Sequence, residues 1–149
     1  MKIARIETFL FDPGVAKNLL FCRVETESGI HGWGEAYVTP GKEPIIQALL
    51  TAMGKYMIGR DSRQIRHTAQ VIFEDFAMRR ASLDLLSAWS AIELAMWDIV
   101  AKAAGQPLYN ILGGASRERV KVYANGWSSG TESIEQNLER ALKVKEMGF

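Results

Sequence analysis

The sequence is poor in the residues that carry most specialised chemistry: one cysteine, four prolines and two histidines in 149 residues. A single thiol excludes a disulfide framework and fits a reducing cytoplasm. An excess of one charge is also missing, since 18 Lys+Arg against 17 Asp+Glu leave a net charge of +1. Nucleic-acid and anionic-membrane binders need a basic excess, so the balance argues against both partners. The longest uncharged run, 103–116, has 14 residues and is broken by Gly105, Pro107, Gly113 and Gly114. That is too short to span a bilayer. Charges at Lys2, Arg5 and Glu7 leave no apolar signal-peptide core. H-E-x-x-H, C-x-x-C and G-x-S-x-G are all absent, so zinc proteolysis, thiol redox and serine-hydrolase chemistry have no support. The length also excludes a complete (β/α)8 barrel, which needs at least ~200 residues.

What is present is a globular composition, 48% hydrophobic and 23% charged. Residues 3–11 alternate in part, with Ala4, Ile6, Thr8 and Leu10 against Arg5 and Glu7, which predicts a half-buried strand. Asp12-Pro13-Gly14 breaks it. Residues 19–26 predict a second strand with Leu20, Cys22 and Val24 on one face. A Glu27-Ser28-Gly29 turn leads to a third strand over 30–37. The opening is therefore an antiparallel three-stranded meander.

After Pro40-Gly41 the period becomes helical. Ile45, Ile46, Leu49, Leu50, Met53 and Met57 form one stripe. Asp61 or Ser62 is the expected cap of a second helix carrying Ile65, Ala69, Ile72, Phe73 and Phe76. A third helix over 82–104 is expected to be central and nearly enclosed, with Ser87, Ala88, Ser90, Ala91 and Ala95 admitting close neighbours and Gly105 ending it. Residues 120–124 predict a short strand. Thr131 or Ser133 then caps a helix bearing Ile134, Leu138, Ala141 and Leu142, stopped by Gly148. Such a β/α unit expects a parallel partner strand.

The residues with chemical potential do not assemble into a catalytic set. Cys22, mid-strand among Leu20 and Val24, reads as a buried core thiol. His31 and His67 lie in no metal-ligand spacing. Gly32-Trp33-Gly34 lacks the third glycine of a dinucleotide fingerprint and sits in a hairpin strand, where glycines mark close packing instead. The carboxylates Glu25, Glu27, Glu35, Asp84, Glu93 and Asp98 have no metal-site spacing. Glu93 and Asp98, five residues apart on one helix, diverge by roughly 140°. Arg79-Arg80 suits a helix end and is a lesser candidate for a substrate anion.

Three stretches together resemble the amino-terminal capping domain of the mandelate racemase/muconate lactonizing group of the enolase superfamily. One is Ser90-Ala91-Ile92-Glu93-Leu94-Ala95-Met96-Trp97-Asp98-Ile99, followed by Lys102, Gly105, Gln106-Pro107-Leu108-Tyr109 and Leu112-Gly113-Gly114. The others are the hairpin from Thr26 to Glu35 and Ile58-Gly59-Arg60-Asp61. The family more often has Asp where this chain has Glu93. The resemblance implies an α+β cap over residues 1–115, a meander followed by a helical bundle. It implies that 119–149 open a TIM-type barrel, incomplete here, with its first strand and helix.

The resemblance further implies a Mg2+-dependent enzyme that removes the proton α to a carboxylate. The family's Lys-x-Lys pair, three metal carboxylates and His-Asp dyad fall beyond Phe149, so no catalytic or metal residue is expected within this segment. Two capping loops, corresponding to 12–18 and 37–42, select the substrate in the family. They make Val15, Lys17, Tyr37 and Lys42 the substrate-binding candidates. The end of the first barrel strand adds Asn125, near a substrate carboxylate, and Trp127 as a pocket wall. Polar, cationic loops favour a polyhydroxy acid, hence a sugar-acid dehydratase, with a racemase/epimerase or cycloisomerase as the alternative. A small-molecule carboxylate substrate and a homo-oligomeric enzyme are implied. A protein ending at Phe149 would instead be a binding module or a fragment.

Overall fold

The computed structural model describes residues 1–14, 17–77, 82–130 and 133–149. They form two compact units, Met1–Gly114 and Ala115–Phe149. In the first, strands β1 (Ile3–Phe11), β2 (Leu19–Thr26) and β3 (His31–Ala36) form an antiparallel sheet in the order β1-β2-β3. Helices α1 (Glu43–Met57), α2 (Ile65–Ile72), α3 (Leu83–Ala103) and the short α4 (Leu108–Ile111) follow, with a π-helical turn over Phe73–Ala77 extending α2. Among the described residues no helix is long and apolar enough to cross a membrane.

The sheet follows the sequence pattern with one shift. Gly29 has φ +84°, and the Gly29 amide donates to the Thr26 carbonyl, closing the hairpin turn. Leu20, Cys22 and Val24 are fully buried, facing the helices. In β1 the pairing slips between Ile3 and Arg5. The bulge buries Ile3 and leaves Ala4 exposed, which corrects the expected facing of Ala4. The bulge lies where β1 is clamped from a second side: the Ile3 amide donates to the Arg60 carbonyl at 2.9 Å, and the Gly59 amide to the Ile3 carbonyl at 2.8 Å. On the outer face Arg5, Glu7, Arg23 and Glu25 close a ring of ion pairs at 2.8–3.4 Å.

β3 and α3 meet through glycine. A Cβ on Gly32 would overlap the Ala95 carbonyl oxygen, and one on Gly34 the Ala91 carbonyl oxygen. Two strand residues span about 6.7 Å and four helical residues about 6 Å, so both glycines can sit on successive turns of one helix face. The strand's amide is then satisfied by the helix it packs on, because Trp33 donates to the Asp98 carboxylate at 3.0 Å. Lys102 Nζ bridges the Asp98 carboxylate (2.7 Å) and the His31 carbonyl (2.9 Å). The core on this helix is Ala88, Trp89, Ala91, Ile92, Ala95, Met96 and Ile99.

Several helical expectations need correction. Ile45 is 52% exposed, so the buried stripe of α1 is Ile46, Leu50, Met53 and Met57, with Leu49 half-buried. Neither Asp61 nor Ser62 caps α2, whose N-cap residue is Gln64 with no side-chain cap bond. Asp61 instead accepts the Met1 ammonium at 3.0 Å and the Arg63 guanidinium at 2.7 Å. Its hydrogen bonds from Arg63 hold its carboxyl well below the usual carboxylate range. Phe73 is 54% exposed rather than part of the α2 stripe, and the side chain of Phe76 lies outside the described residues. In α3 the expected ends hold: the Ser82 hydroxyl accepts from the Leu85 amide at 3.2 Å, and Gly105 has φ +62°. The helix is not enclosed, since Ser90, Leu86 and Leu94 are exposed.

In the second unit, α5 (Ile134–Glu146) is capped by Ser133, whose hydroxyl accepts from the Gln136 amide at 3.2 Å. Thr131, the other expected cap, lies outside the described residues. The expected strand over 120–124 does not form. A strand exists only as part of a ladder, and among the described residues nothing pairs with it. Val120, Val122, Ile134, Leu138 and Leu142 are accordingly exposed.

Two stability predictions follow from this packing. Gly34→Ala forces a methyl into the α3 backbone and is expected to cost about 2–3 kcal/mol. At Gly54, a Cβ would meet Ile6 at an ordinary 3.5 Å, so Gly54→Ala should be neutral or stabilise by up to ~1 kcal/mol. Urea denaturation checks both, and equal effects would contradict the packing. Burial pushes the Cys22 thiol up to about 12 from an ordinary value of 9.0. The unfolded chain therefore loses this proton first, and the stability held below pH 9.0 should decline as pH rises from there towards 12. Replacing Cys22 with Ala should flatten that part of the pH–stability curve.

Candidate functional site

The site is built by the hairpin register. β2 and β3 pair Leu20 with Ala36 and Phe21 with Glu35, so the residues just before β2 lie beside those just after β3. The 12–18 and 37–42 loops therefore leave the same end of the sheet. In the first, the Asp12 carboxylate accepts from the Gly14 amide at 2.8 Å, an Asx turn. In the second, the Lys42 amide donates to the Thr39 carbonyl at 3.0 Å, and Lys42 is the residue preceding α1.

Lys17 and Tyr37 are brought together: the ammonium stands 4.6 Å from the ring centroid of Tyr37, a cation–π contact of two exposed side chains. Lys42 points elsewhere. Its Nζ is held by both oxygens of Asp84, at 3.1 and 3.0 Å, on the first turn of α3. The loops share a further link, from Asn18 Nδ2 to the Glu43 carboxylate at 3.1 Å. Val15 and the Arg79-Arg80 pair lie outside the described residues.

Asn125 and Trp127 belong to the second unit. Both are exposed, and the Asn125 side-chain oxygen accepts from the Gly126 amide at 2.9 Å. Arg140 of α5 donates to the Trp127 carbonyl at 3.2 Å and the Ser129 carbonyl at 2.7 Å. The turn is thus fixed by a helix one turn and a half into its length.

Sequence reasoning missed Asn18, Glu43 and Arg140 and gave Asp84 no role. A usable signal existed for the first two. Counting outward from the Glu27–Gly29 turn sets position 18 near 38, beside the start of α1. For Asp84 and Arg140 no local pattern names the partner, because each contact joins elements whose relative placement is tertiary.

Other candidates are structural. Cys22 is fully buried in the core. His67 is exposed on α2, and His31 is half-buried on β3. Gly32 and Gly34 serve the helix contact rather than a nucleotide. Among the described residues no three His, Cys, Asp or Glu side chains gather as a metal site. An apolar groove of about 340 Å3 lined by Phe21, Trp33, Leu94 and Leu108, with Glu35 and Asp98 at its border, lies where β3 meets α3. It contains none of the expected substrate-binding residues.

Comparison with known proteins places this geometry in a family context. Residues 13–113 match the sequence profile of the mandelate racemase/muconate lactonizing enzyme N-terminal domain. A D-galactonate dehydratase from Variovorax paradoxus (strain S110) is 37% identical over 145 residues, covering 96% of this chain and 36% of that protein. The crystal structure of an enolase-superfamily member from Polaromonas sp. JS666 is 31% identical with a TM-score of 0.85, over 100% of this chain and 43% of that one. The 3,6-anhydro-D-galactonate cycloisomerase from Zobellia galactanivorans is 26% identical with a TM-score of 0.84, over 100% of this chain and 41% of that one. The chain spans about a third of the length of the curated relatives it matches.

Proposed function

The chain belongs to the mandelate racemase/muconate lactonizing enzyme family, as its N-terminal domain, and from that premise we propose that it is the substrate-capping segment of a sugar-acid dehydratase. Residues 1–115 form the cap in this reading, and residues 119–149 open the barrel. The observation that carries it is the pair of loops leaving one end of the sheet with Lys17, Tyr37 and Lys42 on them. The Lys17 ammonium beside the Tyr37 phenol, with a second ammonium on Lys42 of the neighbouring loop, suits an anionic, hydroxyl-rich ligand better than an apolar ring. The D-galactonate dehydratase relative supports the same substrate class.

In the proposed reaction a base takes the proton α to the carboxylate and an enediolate forms. Its collapse expels the β-hydroxyl, which takes up a proton and leaves as water, and the resulting enol tautomerises to a 2-keto-3-deoxy acid. This chain's residues bind and orient the acid and exclude water above it. The described residues do not offer a divalent-metal site. The reading assigns the Mg2+ ligands and the proton-transferring groups, as the family resemblance does, to the part of the relatives' length that this chain does not span. In this reading Asn125 and Trp127 would face the substrate from the first barrel unit, where Arg140 donates to the Trp127 carbonyl. The reading includes a homo-oligomeric enzyme in the cytoplasm. A cycloisomerase is the second reading, favoured by the structural likeness to the Zobellia enzyme.

Assay of the complete protein with Mg2+ against a panel of sugar acids tests the proposal through 2-keto-3-deoxy products. One acid should turn over, and Lys17→Ala or Lys42→Ala should lower kcat/KM by roughly 10- to 100-fold, the loss of a charge-assisted contact. Lactone or ring-forming products, or α-proton exchange without a keto product, would replace dehydration by the isomerase reading. A native protein of 16.6 kDa with no activity would make the chain a binding module.

A further inference from the structure

We propose that the outer face of the sheet, with the groove between β3 and α3, is the surface on which a second copy of this chain docks. It gives the homo-oligomer of the proposed enzyme a specific contact and rests on none of that enzyme's chemistry. On this face Phe9 pairs in register with Phe21, and the Phe9 and Trp33 rings stand 5.3 Å apart. Phe11 continues the row along β1, two residues on from Phe9. Phe21, Trp33, Leu94 and Leu108 line the groove of about 340 Å3. One apolar band therefore runs from β1 across the sheet to α3 and α4. The core is complete without it, since Leu20, Cys22 and Val24 are fully buried on the opposite face. Phe9, Phe11, Trp33 and Leu94 are 42%, 54%, 43% and 43% exposed.

Area, shape and charge select a second copy as the occupant. The side chains of the band together expose roughly 500 Å2, a patch of the size that marks an interaction site. Two copies face to face would remove roughly 1,000 Å2 of apolar surface from water, which reaches the threshold of a specific interface before any polar rim is added. The band also carries projecting rings and a groove on one surface. A two-fold axis can lay the rings of each copy at the groove of the other, as a self-complementary interface requires. Beside the band Arg5, Glu7, Arg23 and Glu25 close on one another in ion pairs, and Asp98 is held by Lys102. A partner of opposite charge finds little to steer it there, whereas two such faces meet without strong repulsion. Glu35 is exposed at the border, where a rim charge stays hydrated.

Sedimentation velocity of the complete protein at micromolar concentration reads the contact. The wild type should sediment as a dimer or an even multiple of one. Trp33→Lys with Leu94→Lys, and separately Trp33→Glu with Leu94→Glu, set like charges against each other across the axis. Each double variant alone should lose at least half of the assembly's mass. Mixed in equal amounts, the two should regain the wild-type mass, because opposite charges then meet between copies. Circular dichroism checks that each variant is folded. Where one is not, Phe11→Lys and Phe11→Glu, at the end of the row, replace the two and are judged in the same way. A monomeric wild type, an unchanged mass in folded variants, or a lost mass that mixing does not restore would each overturn the proposal. Assembly that behaves as expected in a protein without sugar-acid turnover keeps this surface and removes the dehydratase reading. Turnover by a protein whose mass the substitutions leave unchanged does the reverse.

Discussion

The contact on which the first unit depends is backbone against backbone, Gly32 and Gly34 of β3 on the Ala91 and Ala95 carbonyls of α3. No side chain intervenes, so the strand and the helix are fixed to within the tolerance of van der Waals contact. Everything that positions the loops follows from that fit. The end of β3 sets where Tyr37 emerges, and the placement of α3 sets where Asp84 waits for Lys42. β2 inherits its position from the hairpin, which brings Lys17 and Asn18 to the same edge. A small, buried interface at the middle of the unit thus determines geometry at its rim.

The rim is polar and weakly held by comparison. The Lys17–Tyr37 and Lys42–Asp84 contacts are largely exposed, and such pairs contribute at most about 1 kcal/mol each. That weakness suits the proposed capping role: ammonium groups resting on a phenol ring or a surface carboxylate would transfer readily to a substrate anion. The buried Glu43 is the exception, a strong restraint among weak ones. Rigid scaffold with adaptable loops is the arrangement that binding sites of this kind use.

How much of this the sequence discloses depends on whether the governing interaction is local. The meander was legible because Leu20, Cys22 and Val24 alternate and Gly29 supplies the turn. Both ends of α3 were legible because Ser82 and Gly105 act on their own neighbours. The Gly32-Trp33-Gly34 segment read correctly as a close approach, though the helix it approaches had no local signature. Where the deciding partner is distant, local reasoning failed. The bulge in β1 comes with backbone bonds to Gly59 and Arg60, and Asp61 gave up capping for Arg63 and the Met1 ammonium. Residues 120–124 have the composition of a strand but no ladder to join. For the candidate site, Lys17 and Tyr37 were named through the family resemblance, while the bonds of Asn18, Glu43 and Arg140 join residues distant in sequence.

A crystal structure of the complete protein with a bound sugar acid decides what the two loops are for. The acid should lie within about 3.5 Å of polar atoms of at least one of Lys17, Tyr37 and Lys42, with the Asn18–Glu43 bond intact. A sugar acid bound and turned over with neither loop in reach would contradict the capping role of this chain.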